Sequence, residues 1–106
     1  MQTNTTHFLV GRAQADNARL VTGANPNDWW VHADDYPSAH GIVVTSANGR
    51  FPRKAVKACC LQIKKGNGKL KSIDRLAFVV TKVKHIAPTN VPGQVTVRRV
   101  LRTVRV

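Results

Sequence analysis

The chain has no glutamate and few acidic residues of any kind. Five aspartates stand against seventeen lysines and arginines, so the formal net charge is +12 over 106 residues. Residues 50–106 hold fifteen of the basic residues and one acid, a net of +14, whereas residues 1–49 carry −2. Self-repulsion on this scale destabilises a compact chain, which makes a polyanionic partner the expected reason for it. A solubility charge and an anionic membrane surface are the competing explanations.

Cysteine and long apolar runs are also scarce. Cys59 and Cys60 are adjacent, a poor geometry for a disulfide, and they form no CxxC metal pattern. No apolar run approaches the ~18 residues of a membrane span, and no signal peptide is recognised. We therefore expect a cytoplasmic protein with one domain over residues 1–106, in which residues 1–6 are a candidate disordered end.

Short apolar runs separated by turn residues predict several strands and one helix. The predicted strands are residues 7–10, 29–33, 41–45 and 76–81, a candidate short strand at 20–22, and a terminal hairpin of 95–97 with 103–106; residues 46–49 are predicted as a loop. The helix is predicted at about 52–65, with Ala55, Val56, Cys59, Cys60 and Ile63 on its apolar side. These elements predict an α+β fold, a mixed or antiparallel sheet with this one main amphipathic helix packed on a face.

The segment around the two tryptophans has a clear two-sided pattern. Alternation places Trp29, Val31 and Ala33 on one face of a strand and Trp30 and His32 on the other. One of the two tryptophans is therefore expected in the core, and the other is a candidate for stacking on a base.

One stretch of the sequence resembles a known family. Val10-Gly11-Arg12 with Asn17 and Leu20, followed by the run from Asp28 to His40 (DWWVHADDYPSAH), is similar to the NFACT-R domain. Weaker matches follow at Ala58-Cys59, 79–84, 92–95 and 103–106, so the resemblance covers about residues 8–106. NFACT-R is the RNA-binding module of ribosome-associated quality control factors that add C-terminal tails to stalled nascent chains. The resemblance implies contact with tRNA or ribosomal RNA, and with the large ribosomal subunit. The family pattern places Trp30 as the constant tryptophan, which assigns Trp30 to structure and leaves Trp29 as the exposed candidate for stacking on a base.

The chain departs from the family pattern at several points. Asn17-Ala18 replaces an Asn-Asp pair, Ser38-Ala39 replaces Gly-Ser, and Asp34 stands where a basic residue is common. We expect a free-standing module without the companion domains of the full-length factors. A tailing activity is therefore not carried over, and no enzymatic activity is expected.

The candidate nucleic-acid-binding residues are the unpaired cations and the aromatic–histidine segment. They are Arg12, Trp29, His32, Asp35, His40, Arg53, Lys54, Lys57, Lys64, Lys65, Lys69, Lys82, Lys84, Arg98 and Arg99. Arg12 either pairs with Asp28 or Asp35 or meets phosphate. Lys71, Arg102 and Arg105 belong to the wider basic footprint.

Two other functions stay open at this point. DNA binding would use the same cations. A small metal-dependent hydrolase would use His32, Asp35 and His40, although two histidines and a carboxylate are a weak zinc signal. We favour a hydrogen-bonded cluster of these three residues that locks the loop between two strands or presents it to RNA, with no metal and no catalytic residues. The Gly66-Asn67-Gly68-Lys69 turn lacks the phosphate-loop frame, so no cofactor is expected.

Overall fold

The computed structural model describes residues 7–44 and 50–106, and within these ranges it contains seven strands and two α-helices. The elements are β1 (His7–Val10), α1 (Gln14–Gly23), β2 (Trp29–Ala33), β3 (Gly41–Val44), α2 (Arg53–Lys65), β4 (Ala77–Lys82), a 3-10 turn (Val83–His85), β5 (Ile86–Pro88), β6 (Val95–Val97) and β7 (Arg102–Arg105). The predicted loop at 46–49 and the candidate disordered end at 1–6 lie outside the described residues.

Five strands form one antiparallel sheet in the order β1-β3-β2-β4-β7. β2 lies at its centre, so the tryptophan–histidine segment is paired on both sides. β5 and β6 form a separate antiparallel pair. The predicted α+β fold is confirmed, and the sheet pairings are all antiparallel among the described residues.

The helix α2 covers one face of the sheet. Its buried residues are Val56, Cys59, Cys60 and Ile63. They pack against Trp29, Val31, Ala33, Val43, Phe78 and Val80 in the larger core cluster. Burying a side chain of this size stabilises the fold by roughly 1.5–3 kcal/mol. The predicted helix and its apolar side are confirmed.

The opposite face of the sheet is covered by α1 and the β5–β6 pair. Val21 of α1, Trp30, Ile42 and Ile86 form the smaller core cluster there. Trp29 and Trp30 thus lie on opposite faces, as the alternation predicts. The sheet therefore separates two sides of the molecule, called below the α2 face and the α1 face.

Two predictions of local structure are wrong. Residues 20–22, a candidate strand, are the last turn of α1, because Leu20 and Val21 lie on the helix side that packs on the smaller cluster. The terminal hairpin does not exist: β6 pairs with β5 and β7 pairs with β4. The linking residues 98–101 run along the end of β4, where Leu101 N donates to Val80 O at 3.2 Å.

Candidate nucleic-acid interface

Four side chains form a row of rings and cations on the α2 face. The Lys82 ammonium lies 5.5 Å from the centre of the Trp29 ring, and Trp29 meets Phe51 edge to face at 4.9 Å. The Arg102 guanidinium lies over Phe51 at 4.0 Å. Each cation is attracted to the negative face of a ring, which holds it in place beside the core. The row puts two positive charges at the outer ends of an aromatic pair in which Trp29 is buried and Phe51 half-buried.

Beside this row, α2 and the edge strand β7 enclose a groove of 450 Å³. Arg53 and Lys57 line it from the helix and Arg102 and Arg105 from the strand, with Phe51 at the wall. All four cations are exposed. A groove with cations on both walls suits a chain of phosphates.

More positive charge continues from the Lys82 end of the row. His85 feels the charges of Arg99, Lys84 and Lys82, and partial burial together with these charges lowers its pKa. Arg98 joins the same turn through its backbone N–H, which donates to His85 O at 2.8 Å. Candidate residues from two separate segments of the chain, 82–84 and 98–99, therefore meet at one end of β4.

Almost none of this charge is neutralised by the protein itself. Among residues 7–44 and 50–106, the ion pair between Arg19 and Asp16 is the only one. Arg12 therefore makes no salt bridge with Asp28 or Asp35 within the described chain, and that alternative is wrong. Its backbone N–H lies 3.4 Å from the Asp16 carboxylate while its guanidinium stays exposed.

The remaining predicted cations lie along or beyond α2. Lys54 and Lys65 are exposed on the helix, and Lys69 is exposed in the turn after it. Lys64 differs, because it is half-buried and its Nζ donates to the backbone oxygen of Val106 at 2.9 Å. That bond ties the end of α2 to the residue that follows β7.

The prediction that Trp29 is the exposed tryptophan is wrong. Trp29 and Trp30 expose only 7% and 3% of their surfaces, because each face of the sheet has its own cover. A ring so enclosed offers no free face to a base. Trp29 instead contributes by anchoring Lys82.

His32 and His40 lie on the α1 face, away from the groove. The His32 ring stacks on Trp30 at 5.5 Å, and the two imidazoles meet edge to face at 5.1 Å. Trp30 Nε1 donates to His40 Nδ1 at 3.2 Å. Burial lowers the pKa of His32, and burial with the neighbouring His32 lowers the pKa of His40 to about 4. Both rings are therefore neutral at neutral pH.

Asn17 is the residue that organises this segment. Its Oδ1 accepts a hydrogen bond from His40 N at 3.1 Å, while Gly11 N donates to His40 O at 2.9 Å. Gly11 is needed because a Cβ there would overlap the Asn17 amide oxygen. The glycine, the asparagine and the histidine of the recognised pattern thus converge on one buried point. Their spacing in sequence gave no indication of this contact.

Asp35 does not join the histidines. It is exposed in the turn after β2, with a φ of 65°, and bonds to neither imidazole. The prediction that Asp35 belongs to a hydrogen-bonded cluster with the two histidines is therefore wrong. In the described part of the chain, no three His, Cys, Asp or Glu residues are grouped so as to hold a metal ion. The catalytic set that a hydrolase would need is not assembled by these residues.

The same histidines border a cleft of 570 Å³ on the α1 face. Gln14 and Asn17 of α1, the turn of residues 34–38, and residues 91–95 form its walls, while Trp30 and Val79 form its floor. Gly93 closes one side in a left-handed conformation, φ 80°, against the backbone of Gln14. No lysine or arginine lines this cleft.

Three contributors to the α2 face were absent from the candidate set. Arg102 and Arg105 belonged only to the wider footprint, and Phe51 was not considered. The two arginines lie beside α2 because β7 is the edge strand next to β4, a pairing that the expected hairpin concealed. Within residues 7–44 and 50–106, no helix has the length and apolar character needed to cross a bilayer.

No protein-family model and no curated protein sequence matches the chain. A solved structure is similar in fold: the C-terminal part of the fibronectin/fibrinogen-binding protein from Streptococcus suis, with a TM-score of 0.81 and 23% sequence identity. The match covers 96% of this chain and 41% of that one. This chain thus spans about two fifths of the length of the similar structure.

Proposed function

We propose that the protein is an NFACT-R-like module that binds folded RNA, tRNA or ribosomal RNA, through the phosphate backbone along the groove between α2 and β7. The observation that carries the proposal is the uncompensated charge around that groove. Arg53, Lys57 and Arg102 line it, Lys82 extends it, and none of the four has an acidic partner among the described residues. The resemblance of residues 10–40 to NFACT-R supports RNA as the polyanion.

The shape of the site favours backbone contact over base reading. The aromatic rings beside the groove are buried or covered by cations, so they are not free to stack on bases. Structured RNA is recognised mostly through shape, phosphates and 2′-hydroxyls. We accordingly place His32, Asp35 and His40 outside the RNA-binding surface, and we place the protein in the cytoplasm, near the ribosome.

The test is fluorescence anisotropy with a labelled folded tRNA, using single-stranded RNA and duplex DNA as competitors. The variant R53Q/K57Q/R102Q is compared with R19Q/K71Q/R75Q, which removes the same charge from exposed positions outside the groove. We expect at least about tenfold weaker binding for the groove variant alone, since each phosphate contact adds to affinity. Equal loss in both variants, or duplex DNA competing better than tRNA, would overturn the proposal.

The name of the Streptococcus suis protein supplies one further control. That protein is described as binding fibronectin and fibrinogen, and the likeness to it is one of fold. Immobilised fibronectin and fibrinogen therefore belong in the same assay. Tighter binding to either than to tRNA would redirect the assignment.

A further inference from the structure

The cleft on the α1 face has the opposite character from the groove. Asp34 and Asp35 are its only formally charged residues, in a chain that holds five acids against seventeen bases. The phosphates of a nucleic acid would be repelled here. A cation would be attracted to these two carboxylates.

A buried imidazole gives the cleft a second feature. His40 exposes only 5% of its surface, and its Nδ1 accepts the Trp30 indole N–H. An indole N–H can only donate, so the His40 proton lies on Nε2. Among residues 7–44 and 50–106, His40 Nε2 has no hydrogen-bond partner, whereas every fully buried side-chain nitrogen and oxygen has one. His40 Nε2 is therefore not fully buried, and its N–H faces the cleft that His40 lines.

The neighbouring imidazole is arranged the opposite way. His32 Nδ1 lies 2.6 Å from the backbone oxygen of Ala33, which can only accept, so Nδ1 carries the proton. The lone pair of the neutral ring is then on Nε2. The pair presents one hydrogen-bond donor and one acceptor, on rings 5.1 Å apart. Adjacent C=O and N–H groups of a peptide backbone complement such a pair.

The geometry points to a docking site for an arginine-bearing peptide segment of a partner protein in this cleft. The guanidinium pairs with the carboxylates of Asp34 and Asp35 and lies against the exposed ring of Tyr36. The peptide carbonyl accepts from His40 Nε2–H, and a peptide N–H donates to His32 Nε2. Arginine suits the site because its fork of donors matches carboxylates and its plane stacks on aromatic rings.

This site lies on the other face of the sheet from the proposed RNA groove. It is tested with different variants and ligands, so either proposal can fail alone. The two tryptophans supply separate reporters, because the Trp30 indole N–H is bonded at the cleft while Trp29 belongs to the α2 face.

The experiment is an NMR titration of the full chain with acetyl-Gly-Arg-Gly-amide. We expect saturable movement of the Trp30 indole resonance with a Kd of about 1–10 mM, typical of so small a ligand, and no movement of the Trp29 indole. The neutral analogue containing citrulline, and the variant D34N/D35N, should each bind at least about tenfold more weakly. The control variant D16N/D74N, which removes two carboxylates elsewhere, should bind as the parent does.

Several results would overturn the site. Equal affinity for the arginine and citrulline peptides would show that charge does not contribute to binding. An equal loss of peptide affinity in D34N/D35N and D16N/D74N would show that the cleft is not the binding site. A peptide would be excluded as the occupant if the shift of the Trp30 indole resonance failed to saturate with peptide concentration. Tighter binding of uridine or adenosine than of the peptide would exclude it too.

Discussion

The indole N–H of Trp30 donates to Nδ1 of His40 at 3.2 Å, so the nitrogen that would take up a second proton is already used in the folded chain. Burial and His32 lower the His40 pKa from 6.5 to about 4. Between these two values the unfolded chain binds more protons than the folded one. The free energy of unfolding should therefore be highest above pH 6.5 and fall as the pH is lowered toward 4.

This pH dependence is measurable by urea unfolding at steps from pH 7.5 to 4. One histidine contributes a slope of at most about 1.4 kcal/mol per pH unit, and His32 acts in the same direction because burial lowers its pKa too. The variant H40Q should show a shallower slope, whereas T22A, which changes no titratable group, should keep the parent slope. A flat profile in the parent chain would contradict the protonation states given above.

Replacing Asn17 with alanine should destabilise the fold by about 1–3 kcal/mol, the range for losing a partner of a buried polar group. The change removes the acceptor of the His40 N–H, which lies inside the structure. Urea unfolding at pH 7 measures the loss. On the same helix, T22A removes an exposed hydroxyl that bonds within α1, and its effect should stay below about 0.5 kcal/mol.

Replacing Gly41 with alanine should cost about 1–3 kcal/mol, because the added methyl overlaps Sγ of Cys59 where α2 crosses β3. Gly23, at the end of α1, has open space around its Cα, so G23A should be neutral or stabilising. Thermal unfolding compares the two. Adding C59A to G41A should recover part of the loss, and additive effects of the two changes would argue against their contact.

Both cysteine thiols should be unreactive in the folded chain. Cys59 and Cys60 are buried, and desolvation raises the pKa of each to about 12. Since the thiolate is the reactive form, alkylation by iodoacetamide at pH 8 should be slow until urea unfolds the chain. Mass spectrometry counts the labels. Rapid native labelling of either residue would show that the α2 face opens readily.

If the groove binds phosphates, the salt dependence of tRNA binding should report it. The logarithm of the binding constant falls with that of salt concentration by about 0.7–0.9 per neutralised phosphate. R53Q/K57Q/R102Q should therefore lower the slope by roughly 2–2.7 if each cation meets one phosphate. R19Q/K71Q/R75Q should leave the slope as in the parent. An unchanged slope in the groove variant would show that its cations do not touch the backbone.

The elements that sequence reasoning found are those with strong periodicity. The alternation in β2 and the two-sided pattern of α2 are visible in the residues themselves. The helix α1 was missed because Leu20 and Val21 are nearly its only large apolar residues, and packing on the smaller cluster stabilises it. Propensity alone is a weak guide to such a segment.

The candidate site was harder to anticipate because it depends on pairings between distant segments. Arg102 reaches Phe51 only since β7 joins the edge of the sheet beside β4. The buried state of Trp29 depends on the cover that α2 supplies. Charge alone predicts that cations are exposed, but it contains no information on which of them converge.

Four cations and two carboxylates lie on opposite sides of the sheet and contribute an electric dipole across it. Arg53, Lys57, Lys82 and Arg102 lie on the α2 face, and Asp34 and Asp35 border the cleft on the other side. A polyanion exerts a torque on such a dipole before any contact forms. The molecule would then approach with the α2 face leading and the cleft trailing, so the field alone would leave the cleft turned toward solution at the moment of encounter.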